Sequence, residues 1–167
     1  MTHRGDKSDR GGFTLIEILI AVAIVGILTV LAVSSFQGFN EKYRVEGETK
    51  QMFSDLMDAR GRAMQRNRAF FVQINANGYT TYEDTSPAPD GNGSLDNTAD
   101  TLVANVTIRR TINNGGLSNF RFNRNGIASA TGTIWLTSTA QPDYDCITVQ
   151  ATRIKMGQYN AGTCVEK

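Results

Sequence analysis

The groups best placed to do chemistry lie near the amino terminus, in Gly11-Gly12-Phe13-Thr14-Leu15-Ile16-Glu17, which joins a polar leader to an apolar run reaching Val33. Glu17 is the one ionisable side chain between Phe13 and Val33. A carboxylate in hydrocarbon costs about 2.5 to 3.5 kcal/mol on insertion scales, so it calls for a partner, and the chain supplies no evident one. Cleavage after Gly12 would create that partner. It leaves a free ammonium at Phe13, about one helical turn from Glu17, able to meet the carboxylate within one chain or between staggered neighbours. A secretory signal places its apolar region before the cleavage site. Here the glycine pair precedes the run, so the cut removes the leader and leaves the hydrophobic segment on the mature chain.

The element that must position these groups is a helix. Phe13 to Val33 is 21 residues without Lys, Arg, Pro or Asp, enough at about 1.5 Å per residue to cross roughly 30 Å of hydrocarbon. Beyond it Phe36, Phe39 and Tyr43 recur at spacings of three and four. Met52, Phe53, Leu56, Met57, Ala63 and Met64 then hold one face, with Lys50, Gln51, Asp55, Asp58, Arg60 and Arg62 on the others. One helix is expected from Phe13 to about Arg66, softened near Gly38 or Gly47, where glycine costs up to about 1 kcal/mol relative to Ala.

Gly12-Phe13-Thr14-Leu15-Ile16-Glu17 resembles the class III signal of type IV pilins and type II secretion pseudopilins at every position of its pattern. The resemblance implies cleavage after Gly12 by a prepilin peptidase, N-methylation of Phe13, and a Glu17 that meets the Phe13 amine of an adjacent subunit during assembly. It also implies a leader over 1–12, a transmembrane and assembly helix over 13–36, and a periplasmic pilin-like domain over 37–167. Many major pilins carry a proline in this helix. Its absence here leans toward a minor pilin or pseudopilin.

Removing three basic and two acidic leader residues from seventeen and sixteen leaves fourteen of each, a mature net charge of zero. No global charge therefore selects nucleic acid or acidic lipid. The one histidine, His3, falls in the leader. Without it the mature chain lacks His-based triads and His-rich metal sites, and no nucleophile or base constellation argues for an enzyme.

From Ala69 the apolar period changes to two. Phe70 to Ile74 and Tyr79 to Tyr82 flank Asn75-Ala76-Asn77-Gly78, a hairpin whose Asn-Gly suits a tight turn. A polar loop follows over Asp84 to Asp100. Leu102, Ala104, Val106, Ile108 and Ile112 then alternate with polar residues as a half-buried strand, and shorter strands are expected at Leu117–Phe122, Ile127–Ala130, Thr133–Thr139, Tyr144–Gln150 and Arg153–Met156. The plan is α+β: a long N-terminal helix packed on an antiparallel β-sheet of six to eight strands. Phe122-Asn123-Arg124-Asn125-Gly126, then Ile134-Trp135-Leu136 and Ile147-Thr148-Val149, is similar to the C-terminal half of GspH/FimT-type minor pseudopilins. Asp58-Ala59-Arg60 to Arg68 resembles the helix end of that family.

Cys146 and Cys164 are the two cysteines. Outside the cytoplasm a disulfide is the leading reading, worth about 3 kcal/mol for a loop of this size. A two-thiolate metal site or a reactive thiol are the others, and neither has soft ligands or a histidine nearby. Many pilins close a C-terminal loop with a disulfide, and the resemblance favours that reading. Asp90, Asn92, Ser94 and Asp96 fall at the first four ligand positions of a calcium ladder. Leu95 replaces its glycine and Thr101 its glutamate, and a plain solvated loop uses the same residues. Arg109, Arg110, Arg121, Arg124, Arg153 and Lys155 form a basic set that would grip DNA phosphates if gathered on one sheet edge, or salt-bridge neighbouring subunits if not.

The expectation is a non-enzymatic structural subunit of a type II secretion pseudopilus or type IV pilus, anchored by one pass in the bacterial inner membrane. Its partners would be other pilin subunits, the prepilin peptidase and the inner-membrane assembly platform, with no cofactor unless the loop takes calcium. The reading from another class is a DNA-binding minor pilin acting in DNA uptake.

Overall fold

The computed structural model describes residues 12–89 and 91–167, and of residues 31–37 the backbone alone. The expected leader up to Gly11, the side chain of Phe36 and the loop residue Asp90 lie outside the described residues. The chain divides into two units, Met1–Gly38 and Phe39–Lys167. One element runs through both: helix α1 spans Leu15–Arg66 without a break at Gly38 or Gly47.

In the second unit α1 buries a stripe of Val45, Thr49, Met52, Leu56, Ala59 and Ala63. Spacings alternating between four and three keep these residues on one face. Thr49, the polar member, donates its hydroxyl to the Val45 carbonyl at 2.9 Å, which satisfies it inside the core. Each fully buried Met or Leu contributes about 1.5–3 kcal/mol relative to exposure. Met57 and Met64, expected on this face, are exposed, as are Phe39 and Tyr43. The buried stripe is narrower than the apolar one.

Among the described residues nine strands succeed the helix, in two sheets. The first sheet orders β3 (Thr101–Thr107), β2 (Gly78–Glu83), β1 (Phe70–Asn75) and β5 (Asn119–Phe122). The second orders β4 (Ile112–Asn113), β6 (Gly132–Leu136), β7 (Cys146–Val149), β8 (Ile154–Asn160) and β9 (Thr163–Glu166). Every pairing is antiparallel. Phe70, Val72, Ile74, Tyr79, Phe120 and Phe122 of the first sheet share one core with Ile134, Leu136, Ile147 and Val149 of the second and with the α1 stripe. The expected hairpin forms, but Gly78 belongs to β2, and Ala76-Asn77 makes the turn with the Asn75 side chain accepting from the Asn77 N–H at 2.9 Å.

Three expectations about strands are corrected. Ile127–Ala130 is no strand: Asn123 Oδ1 accepts from the N–H groups of Asn125 and Ile127, both at 2.9 Å, and only Ala128 bridges back to Phe122. The expected single strand over Leu102–Ile112 ends at Thr107, with Ile112 on β4 of the other sheet, and its alternation breaks at Leu102, where the register of β2 and β3 shifts between Thr81 and Tyr82. The shift places Val103 and Val106 against the core and leaves Leu102 52% exposed. Finally, β8 runs on to Asn160 and β9 adds a further edge.

Cys146 and Cys164 are joined by a disulfide with their Cα atoms 5.9 Å apart. They sit on β7 and β9, opposite Gly157 and Tyr159 of the intervening β8, where two flat strand spacings would put them at least about 9.5 Å apart. The sheet must therefore coil tightly here. Gly157 on β8 permits it, because a Cβ there would lie 2.1 Å from the Val165 carbonyl oxygen. Replacing Cys164 by Ser should lower unfolding stability by about 3 kcal/mol. Amide exchange should quicken first in β9, and equal protection in the two forms would show that the strand ladder alone holds the hairpin.

Candidate assembly site at the amino terminus

Thr14 and Glu17 start the helix together. The Thr14 hydroxyl accepts from the Glu17 N–H at 3.3 Å, and the Glu17 carboxylate reaches back to the Thr14 N–H at 3.5 Å. This reciprocal pair is a capping box, in which Ser or Thr precedes Glu by three residues and two helix-end donors are satisfied. The Thr14 backbone N–H is thus a polar partner for Glu17 that the sequence does not make evident, and no charged partner for it stands among the contacts described. A negative charge in the first turn also opposes the positive end of the helix dipole. The box folds the carboxylate back toward the residue beside Phe13, the position at which cleavage would leave an amine.

Past this cap the helix is apolar on every side and uncovered within its unit. Phe13 and Leu15 are each 80% exposed, and even the least exposed large side chain, Ile24, is 52% exposed. Contiguous apolar surface beyond a few hundred Å² marks an interface or a membrane site. Among the described residues no helix is long and apolar enough to cross a membrane. The part of the run with described side chains, Phe13 to Val30, is shorter than the roughly 20 residues a span needs, and the side chains of 31–33, which complete the expected segment, lie outside the described residues.

In the second unit, side chains that pattern reading passed over bind α1 to the sheets. Arg60 donates to the Gly126 carbonyl at 2.8 Å, fixing the Asn123–Gly126 turn to the helix. Tyr79, 1% exposed, donates its hydroxyl to Asp55 at 2.5 Å, and burial together with that carboxylate pushes its pKa far up. Glu83 is buried, with Arg66 and Arg68 on its two oxygens, the latter at 3.3 Å. No spacing in the sequence announces these pairs, since each joins α1 or its end to a strand or turn further along the chain.

The loop after β2 is built on two buried carboxylates. Asp84 accepts from the N–H groups of Asn92 at 3.1 Å and Gly93 at 2.7 Å. Asp100 accepts from Thr85 at 3.0 Å, Ser86 at 3.1 Å and Asp96 at 2.8 Å. Of the calcium ladder, Asn92 accepts from the Ser94 N–H at 2.8 Å, and Asp96 accepts from the Thr98 N–H and hydroxyl at 2.9 and 2.7 Å, which hold its carboxyl below the usual range. The three described ladder residues are thus engaged in turns of their own loop. Among the described residues no group of three or more His, Cys, Asp or Glu is placed to hold a metal.

The basic set does not converge on one sheet edge. Arg109 and Arg110 follow β3, Arg121 and Arg124 belong to β5 and the turn after it, Arg153 directly precedes β8 and Lys155 lies on it, in the second sheet. Two members are paired inside the chain: Arg110 with Glu41 of α1 at 3.0 Å, and Lys155 with Glu166 of β9. Arg121 and Arg124 share an open hollow with Arg68.

A charged lock ties α1 to the second sheet's loop. Asp143 meets Lys42 at 2.9 Å and Lys167 at 3.0 Å, and its N–H donates to Glu46 at 3.0 Å. The two ammonium groups hold the Asp143 carboxyl down at about 2. Two residues on, burial raises the pKa of the Asp145 carboxyl, although the Tyr159 N–H donates to it at 2.6 Å. The signs are opposite. The stabilisation from Asp143 is complete above its unfolded value near 4 and is lost as pH falls toward 2. The contribution of Asp145 is complete below its unfolded value and is lost as pH rises through its raised folded one. Relative to wild type, Asp143→Asn should therefore cost melting temperature at pH 6 and little at pH 2, whereas Asp145→Asn should show no such loss on the neutral side. Parallel curves for wild type and Asp143→Asn from pH 6 to pH 2 would remove the lock.

A long amino-terminal helix on antiparallel sheets, begun by a Gly-Phe-Thr-x-x-Glu cap and an uncovered apolar stretch, defines a pilin-like protein. Residues 48–152 match the family of the type II transport protein GspH, and residues 7–33 match the prokaryotic N-terminal methylation motif. The chain belongs to the GspH family. Its fold is similar to the minor pseudopilin EpsH from the type 2 secretion system of Vibrio cholerae, at 13% identity and TM-score 0.51 over 69% of this chain and 97% of that one. It is also similar to the type IV minor pilin FimU of Pseudomonas aeruginosa, at 14% identity and TM-score 0.50 over 75% and 99%. The type IV major fimbrial protein FimA of Dichelobacter nodosus is 47% identical over 49 residues, 28% of this chain. The match covers 31% of that relative's length.

Proposed function

We propose that the chain is a minor structural subunit of a type II secretion pseudopilus or type IV pilus, without enzymatic activity, held in the bacterial inner membrane with its C-terminal domain in the periplasm. The observation that carries this reading is the capped helix start: a segment uncovered on every side, entered through a box that folds Glu17 back onto the N–H of Thr14, the residue after Phe13. A prepilin peptidase would cut after Gly12 and the new Phe13 amine would be N-methylated. The exposed segment is stored in lipid until an inner-membrane assembly platform transfers it into a bundle of like helices. There its apolar surface is buried again, and Glu17 exchanges the Thr14 N–H for the Phe13 amine of an adjacent subunit, a full charge in place of a dipole. Membership of the GspH family supports the choice of machinery.

Intact mass and N-terminal sequence of the membrane-extracted protein test this reading, with and without a prepilin peptidase present. A chain that begins at methylated Phe13 only with the peptidase is the expected result. A Met1 start in both conditions would reduce the protein to a tethered domain and remove the role given to Glu17.

A further inference from the structure

Two residues past Asp143, the loop between β6 and β7 borders an open hollow of about 260 Å³, lined by Ser138, Gln141, Asp145, Gln158, Tyr159 and Asn160. Its walls are fixed from within the chain. The Leu136 N–H donates to the Asp145 carbonyl at 2.8 Å and the Asp145 N–H to the Gly157 carbonyl at 3.1 Å, so β6 and β8 hold this residue from both sides. Gln158 donates its amide to the Pro142 carbonyl at 2.8 Å, and the Ser138 hydroxyl accepts from the Ala140 N–H at 3.1 Å. Tyr159 is stacked flat on Trp135, with 4.4 Å between ring centroids.

The group left uncompensated here is the Asp145 carboxylate. The residue is 8% exposed, and its side chain has one hydrogen bond among the described residues, from the Tyr159 N–H to Oδ1. Oδ2 has no such partner and is not sealed off, the one sealed and unpartnered side-chain atom among the described residues being Glu48 Oε2. Its opening is the hollow that Asp145 lines. None of the lining residues is a cation, and Lys167, whose field reaches Asp145, is committed to Asp143 at 3.0 Å. Burial without a bonded counter-charge raises the pKa of this carboxyl. A carboxylate taken out of water is compensated far better by a cation than by a neutral donor.

We propose that this hollow binds a primary ammonium group, with Asp145 Oδ2 as its counter-ion. The choice of ligand follows from what the walls still offer. Gln158 has spent an amide N–H on Pro142 and keeps its Oε1, and the Ser138 hydroxyl that serves Ala140 has a second lone pair. Unspent acceptors around one negative charge suit a group with three donors, a full positive charge and no acceptor. The single open carboxylate oxygen matches a point charge better than the two-pronged fork of a guanidinium. A divalent metal needs more, and among the described residues no group of three or more His, Cys, Asp or Glu is placed to hold one. A lysine side chain of another protein and a free alkylamine present the same group, and Tyr159 gives the methylenes of either an aromatic wall. The site uses neither the helix cap nor the apolar stretch, so it stands apart from the assembly reading.

Magnetic resonance of the full-length chain in lipid nanodiscs tests the site, with Nα-acetyl-lysine methylamide as the probe. At millimolar concentration and neutral pH the probe should shift the Asp145 carboxyl carbon and the Tyr159 amide saturably. Acetylating its Nε as well keeps the stem, removes the charge and should abolish the shifts. Asp145→Asn still offers Oδ1 to the Tyr159 N–H, so it should fold as wild type does and bind the probe about tenfold more weakly or worse. Carbodiimide coupling on cell membranes then separates the sources: an Asp145-dependent cross-link to another protein marks a lysine as the ligand, and probe binding without one marks a small amine. Absence of a saturable shift in the wild type, equal binding of the acetylated probe, or undiminished binding by Asp145→Asn would each overturn the proposal.

Discussion

Glu17→Val should leave the chain inserted and cleaved after Gly12, yet cut its incorporation into filaments by two orders of magnitude or more. Removing one partner of a desolvated ion pair costs about 3–5 kcal/mol, because the remaining charge is left without compensation. Here that charge would be the neighbour's Phe13 amine. Valine also removes the carboxylate half of the capping box, while the Thr14 hydroxyl keeps its bond to the N–H of residue 17. Glu17→Gln separates the two roles. Glutamine serves in a capping box as glutamate does, so this variant should begin its helix at Leu15 and still fail to assemble. Immunoblots of sheared filaments against membranes read both outcomes. Normal incorporation of Glu17→Gln would reduce Glu17 to a cap and sink the charge exchange.

The double role shows what the sequence could and could not reveal. Thr14-Leu15-Ile16-Glu17 carries the capping signature openly, yet in an apolar run the carboxylate draws attention as a buried charge and its backbone partner is passed over. The helix was readable because burial on α1 follows the three-four alternation of Met52, Leu56 and Ala63. Val45 and Thr49 were missed on the same line, since a threonine does not register as core until its hydroxyl is seen to bond one turn back. Strand alternation served for β1 and β2 and failed at β3, where one extra residue at the bulge turns Leu102 outward. The division into two sheets has no local signal. It depends on which short strands meet, and these pairings join residues far apart in the chain. The cysteines announced their bond by compartment and count, whereas the coil that brings β7 and β9 together rests on a backbone approach at Gly157.

The polar loop is the clearest case of right composition and hidden construction, and one of its glycines gives the other large effect. Asp84 is 2% exposed and commits both oxygens to loop N–H groups. Gly91 turns the chain at φ 76° so closely over this carboxylate that a Cβ would stand 2.0 Å from Asp84 Oδ1. Gly91→Ala must therefore take both a left-handed conformation, at about 1–2 kcal/mol, and a displaced buried acid that loses one or both hydrogen bonds, at about 1–3 kcal/mol. The expected loss is about 3 kcal/mol, the sum of these two costs, with the amides of Asn92 and Gly93 exchanging fastest. Gly116 provides the control: it sits at φ 88° with nothing within 4 Å of its missing Cβ, so Gly116→Ala carries the conformational cost alone. Equal losses in the two variants would mean that the Asp84 anchor contributes nothing and that backbone strain by itself sets the effect. A larger loss at Gly91, accompanied by release of the loop while β1 and β2 remain protected, would establish the buried acid as the pin that holds residues 84–100 on the sheet.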